Sequence, residues 1–144
     1  MKKLILISFF LPFAAKAQFT IVNTSTISLV ELRQGEQWPI TLQRVCKESD
    51  TCYVLQFRDQ QSGNSEIMTT LKFTNLNQLR YFQQGLAALK NGATGDVAKF
   101  KDYTIKRVDI KKDGASYILS CGMGSITNFK QREADKMIST ITML

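Results

Sequence analysis

The chain predicts an α+β fold, a largely antiparallel sheet with two amphipathic helices. Three observations predict it. Runs of alternating apolar and polar residues, bounded by turn residues, fill much of both halves. Each half then ends in a segment with helical spacing. The phrase Phe73-Thr74-Asn75-Leu76-Asn77-Gln78 also returns 53 positions later as Ile126-Thr127-Asn128-Phe129-Lys130-Gln131.

The first element is a targeting segment. Lys2 and Lys3 precede an apolar run from Leu4 to Ala15, and Ala15-Lys16-Ala17 fits the small-x-small rule for cleavage. The run is shorter than the roughly 20 residues a membrane-spanning helix needs. Residues 1–17 therefore read as a cleaved signal peptide, and 18–144 as a single exported domain, secreted or periplasmic and without a membrane span. Three of the 19 basic residues, Lys2, Lys3 and Lys16, leave with it, so the net charge falls from +7 to +4.

β-like runs follow at Phe19 to Asn23, Ile27 to Arg33 and Trp38 to Cys46. Leu55 and Phe57, a polar turn at Gln60 to Ser65, then Ile67, Thr69, Leu71 and Phe73 make a hairpin. Asn75 is placed to cap a helix, with Gln78 at N3 reaching back. Leu76, Leu79, Phe82, Leu86 and Leu89 form one stripe of that helix, and Lys90-Asn91-Gly92 ends it. Asn91 to Gly95 is the joint between possible half-repeats, 18–90 and 96–144.

In the second half Val97 to Lys101 and Tyr103 to Arg107 read as strands, and Val108, Ile110 and then Tyr117, Leu119, Cys121 and Met123 as a hairpin. Asn128 is the expected cap of a second helix carrying Phe129, Ala134, Met137, Ile138, Ile141 and Leu144. The apolar set of this hairpin sits on the opposite parity, relative to its cap, from that of the first hairpin. A bulge at Gly122 and Gly124 would correct it. Four strands followed by a helix, twice over, resembles the PC4 and Whirly type of single-strand-binding protein. The resemblance lies in the order of elements and rests on no motif. It implies single-stranded nucleic acid as a ligand class and transfers no binding residue.

Chemistry is sparse. The chain has no histidine, which excludes imidazole-based nucleophile systems and His-ligated zinc. No cofactor or metal is expected. Carboxylates for a small hydrolase would come from Glu31, Glu36, Glu48, Asp50, Asp59 and Glu66, which sit in polar turns or alternate with core positions. Cys46 and Cys52 flank a polar turn and are the candidate disulfide, Cys121 being left over. The rival readings are a bridge from Cys121 to either one, or three buried thiols.

The most informative stretch is Lys99 to Lys112, with Phe100 and Tyr103 set among basic residues. Lysines interleaved with aromatics can hold phosphates and stack bases. A solvated sheet edge guarded by lysine is the plainer reading. The candidate binding residues are Lys99, Lys101, Lys106, Arg107, Lys111 and Lys112, with Lys106 and Arg107 pointing outward together only if a bulge separates them from Tyr103 and Ile105. The expected function is a non-enzymatic binding domain for a macromolecule or surface. Binding of an anionic polymer or single-stranded nucleic acid is the first alternative, and carboxylate-dependent hydrolysis the second.

Overall fold

A computed structural model describes residues 24–32, 40–48, 50–60, 68–112, 114–122 and 124–144. The signal segment, Phe19 to Asn23, Trp38, Glu36, Glu66 and Met123 lie outside the described residues. Strands β1 (Thr24–Leu32), β2 (Ile40–Lys47), β3 (Asp50–Arg58) and β4 (Met68–Phe73) lead to helix α1 (Leu76–Lys90). Strands β5 (Val97–Lys99), β6 (Tyr103–Ile110), β7 (Gly114–Cys121) and β8 (Ile126–Lys130) lead to helix α2 (Gln131–Thr142). Each set of strands makes a four-stranded antiparallel sheet in chain order. This is the α+β class the alternation predicts.

The inward faces follow the period of two. On β3, Tyr53, Leu55 and Phe57 point in, opposite Phe73, Leu71 and Thr69 of β4. On β1 a register shift between Ser28 and Val30 inserts Leu29 as an extra residue, which turns Val30 and Leu32 inward opposite Leu42 and Ile40. Without it, Glu31 would face the core. In the second sheet Ile105, Tyr117, Leu119, Thr127 and Phe129 are buried.

The helices unite the two sheets. α1 buries Leu79, Phe82, Leu86 and Leu89, packing on β3 and β4 of its own sheet and on β5 and β6 of the other. α2 buries Ala134, Met137 and Ile141 against β7 and β8 and reaches across to β1. The helices also pack on each other, with Lys90 Nζ donating to Asp135 Oδ1 at 2.7 Å. One continuous core results. Each fully buried large side chain, Phe57, Phe82, Tyr117 and Phe129 among them, contributes on the order of 2–3 kcal/mol of burial.

Gly85 shows how close this packing is. A Cβ there would lie 2.5 Å from Cζ of Phe100, whose ring stacks on Tyr103 at 4.4 Å between centroids. A glycine in the middle of α1 costs about 1 kcal/mol against alanine, and the approach of Phe100 accounts for it.

The structure corrects several expectations. At the first copy of the repeated phrase, Asn75 Oδ1 accepts from Gln78 N at 3.0 Å, so Asn75 does cap α1; the Gln78 side chain, however, accepts from Thr74 N rather than from the cap's own N–H. At the second copy, Asn128 lies within β8, exposed and opposite Ile118, and Phe129 is a core residue of that strand. α2 starts only after Lys130, whose N–H is bonded by Glu133 Oε2 at 2.8 Å. Moving the helix start from Asn128 to Lys130 is a shift of two, so the inward Tyr117, Leu119, Thr127 and Phe129 keep the opposite parity to their cap. β7 and β8 pair without a bulge, and the difference is taken up at the junction, where Phe129 directly precedes Lys130 while Thr74 separates Phe73 from Asn75. Gly122 and Gly124 instead shape the turn between β7 and β8, where Gly124 takes a φ of 83°.

The Cys46–Cys52 bridge does not form, and all three cysteines are free thiols. The reason is register. Cys46 pairs with Thr51 and Cys52 with Val45, so the two thiols point to opposite faces of the sheet. The strands run on to Lys47 and Asp50, and Glu48, at φ 54°, turns the chain in a two-residue connection instead of a five-residue one.

Candidate functional site

The outward positions of the second sheet are set by its register. Lys99 lies opposite Thr104, which lies opposite Ser120 and then Ile126. The next outward row is Val97, Lys106, Ile118 and Asn128, and the one after it Val108, Ser116 and Lys130. Lys106 is therefore one strand over and one repeat along from Lys99, roughly 8 Å between Cα atoms at standard sheet spacings, and Lys130 is two strands over and one repeat further, roughly 12 Å. The three lysines form an oblique stripe across the sheet.

Among the described residues, no outward position of this sheet carries a carboxylate or an aromatic ring. Asp109 has inward parity and bonds Arg107 Nε at 3.0 Å and the Thr94 hydroxyl. These bonds hold its carboxyl below the usual carboxylate range, Thr94 first and Arg107 next. Asp96 is likewise occupied, its Oδ2 accepting from Ala93 N at 2.7 Å. Glu133 reaches one end of the stripe, its charge interacting with that of Lys130.

The predicted binding residues separate into four places. Lys99 and Lys106 share the outward face. Lys101 sits in the β5–β6 turn at one end of it, and Lys111 and Lys112 follow Ile110 at the other end, about 25 Å away along β6. Arg107 leaves the group. β6 pairs with β7 without a bulge, so Arg107 points inward, where Nη1 donates to Leu89 O at 3.0 Å and Lys90 O at 2.6 Å. It closes the carbonyl end of α1, the position where a cation complements the helix dipole. Lys130 was not singled out by sequence. The signal was present in its alternation with Phe129 but was hidden by reading the phrase as a helix start.

Phe100 and Tyr103 also face away from this stripe. Tyr103 packs on Phe73, Phe82 and Phe100. Burial, then the neighbouring Cys121 and Asp102, raise its phenol above the ordinary range. Burial pushes the Cys121 thiol up to about 11, so at neutral pH it is protonated and a poor nucleophile.

The hydrolase candidates are spread over the first sheet: Glu31 on β1, Glu48 in a turn, Asp50 starting β3. Asp59 is a structural tie, Oδ1 accepting from Ile126 N at 3.0 Å across the sheets. Among the described residues no group of three or more Cys, Asp or Glu could hold a metal ion, and no helix is long and apolar enough to cross a membrane. No protein-family model, curated protein or solved structure matches the chain.

Proposed function

We propose that the protein is a binding module that holds an extended anionic polymer across the outward face of its second sheet. The observation that carries this reading is the oblique stripe Lys99, Lys106 and Lys130 on a face whose described outward positions hold no carboxylate. Lys101 at one end and Lys111 and Lys112 at the other extend the positive potential beyond the strands. With no outward aromatic ring there, recognition runs through phosphate or sulfate groups. Sulfated polysaccharide and single-stranded DNA are then held alike, and base composition matters little. The order of elements shared with the PC4 and Whirly type supports a polymer laid over a sheet.

The test is retention of the full chain on heparin and on single-stranded DNA at low salt, with the wild type compared with Lys99→Ser/Lys106→Ser. Both side chains are exposed, so the melting curve serves as the folding control. Loss of retention with an intact melt supports the reading, and unchanged retention ends it. On the charged and apolar leader we place this activity outside the cytoplasm. The intact mass of the protein from its native host checks this, since a chain beginning at Met1 would contradict it.

A further inference from the structure

A concavity lies where the first sheet meets the second, beside the Lys99 end of the lysine stripe. It is a recess of about 180 Å³ between β4, α1 and the β5–β6 turn. Its apolar lining includes Phe100 and Tyr103, and Tyr81 of α1 stands at its side, 61 % exposed. Tyr81 is off the buried stripe of its helix, flanked by Arg80 and the core residue Phe82. An exposed ring there contributes nothing to the core. Lys72, outward on β4, and Lys101 supply two ammonium groups to the same recess, against the single carboxylate of Asp102.

We propose that this recess binds a small ligand made of one planar ring bearing an anionic group. Size argues for one ring, because a cavity of about 150 Å³ accepts benzene. Composition argues for a planar one, because an aromatic face favours an offset or edge-on ring partner. Charge argues for an anionic substituent, because two exposed lysines outnumber the one carboxylate at the opening. The ring lies against Tyr81 and Phe100, and its anionic group reaches Lys72 and Lys101. The site shares Lys101 with the polymer reading but turns on Tyr81 and Lys72, on which that reading places no weight.

The experiment is a chemical-shift titration of the full chain with phenyl phosphate, followed at the aromatic resonances of Tyr81, Phe100 and Tyr103. Inorganic phosphate and benzyl alcohol serve as separate arms. Saturable shifts with phenyl phosphate are expected, with each partial probe weaker by roughly tenfold or more, since each forfeits one set of contacts. Tyr81→Ala should abolish the ring response, and Lys101→Gln should weaken phenyl phosphate towards the affinity of benzyl alcohol. Inorganic phosphate binding as well as phenyl phosphate would reduce the site to simple charge, and benzyl alcohol binding as well would remove the anion from it. Either result overturns the proposal, as does an unchanged response in Tyr81→Ala or the absence of any saturable shift at millimolar probe.

Discussion

On the outward face of the first sheet Lys47 pairs with Asp50 across the hairpin, and Glu31 lies beside Thr41. On the outward face of the second, the described positions in the rows of Lys99, Lys106 and Lys130 are otherwise Thr, Ser, Asn and aliphatic residues, and Glu133 of α2 interacts with Lys130 from beyond the sheet. The inward faces are far more alike, each an antiparallel apolar surface closed by helices that also bridge to the other sheet. The order of elements is thus a property of the core, whereas the distribution of charge belongs to each sheet alone. That difference is why one face is read as a binding surface and its counterpart is not.

The halves also differ at the strand-to-helix junction, where the largest effect is expected. Leu76 and Phe129 occupy the same place in the repeated phrase, but Leu76 opens α1 half-buried while Phe129 is 1 % exposed and stacks on Tyr117 at 5.7 Å. Phe129→Ala should cost roughly 3–5 kcal/mol in urea unfolding. Leu76→Ala should cost far less. Equal losses would mean that the two junctions are built alike.

A smaller effect tests whether Arg107 belongs to the core or to the binding face. Arg107→Ala frees the carbonyls of Leu89 and Lys90 at the end of α1 and should cost about 2 kcal/mol. The same change removes one of the two bonds to Asp109 and leaves the one from Thr94. That carboxyl is depressed in the fold, so the stability it supplies is present above its unfolded pKa of about 3.9 and is lost as the pH falls through its lower folded value. Wild type should therefore lose more stability than Arg107→Ala on acidification below about pH 4. Parallel acid profiles would separate Asp109 from Arg107. Lys106→Ala, one position earlier and outward, should leave the urea midpoint within error.

The smallest effect concerns the two asparagines. Asn75→Ala removes a side-chain bond to Gln78 N and should cost about 1 kcal/mol. Asn128→Ala, on an exposed strand position, should change stability by less than about 0.5 kcal/mol. Equal losses in thermal melts would restore the reading of both copies as caps.

Much of the fold was legible from residue patterns. The alternation of Leu55, Phe57, Leu71 and Phe73 and the stripe from Leu79 to Leu89 mark the buried positions because burial imposes the strand and helix periods directly. What local pattern could not supply was register. Whether Cys46 faces Cys52 depends on whether the hairpin turn holds an odd or an even number of residues, and both choices fit the spacing. Likewise Ile126 to Lys130 reads as a strand or as the approach to a cap until β7 offers it a partner. Lys99 and Lys106 of the candidate face could be listed from sequence, whereas Lys130 was hidden behind the supposed cap and Arg107 could be removed from the list only once the end of α1 was seen to need its guanidinium. Lys72 and Tyr81 come together through the packing of β4, α1 and the β5–β6 turn, which no local motif encodes.

If the two outward faces differ in function as proposed, the salt dependence of polymer binding shows it most directly. Heparin affinity of the full chain should be measured over a range of salt for wild type, for Lys99→Ser/Lys106→Ser and for Lys47→Ser/Arg58→Ser, both of the latter on outward positions of the first sheet. Each phosphate or sulfate contact contributes roughly 0.7 to 0.9 to the slope of log affinity against log salt. Removing Lys99 and Lys106 should therefore flatten the slope by about 1.5, while removing Lys47 and Arg58 should leave it close to wild type. Equal flattening by both pairs would show that binding follows net charge alone and would contradict the assignment of the site to the second sheet.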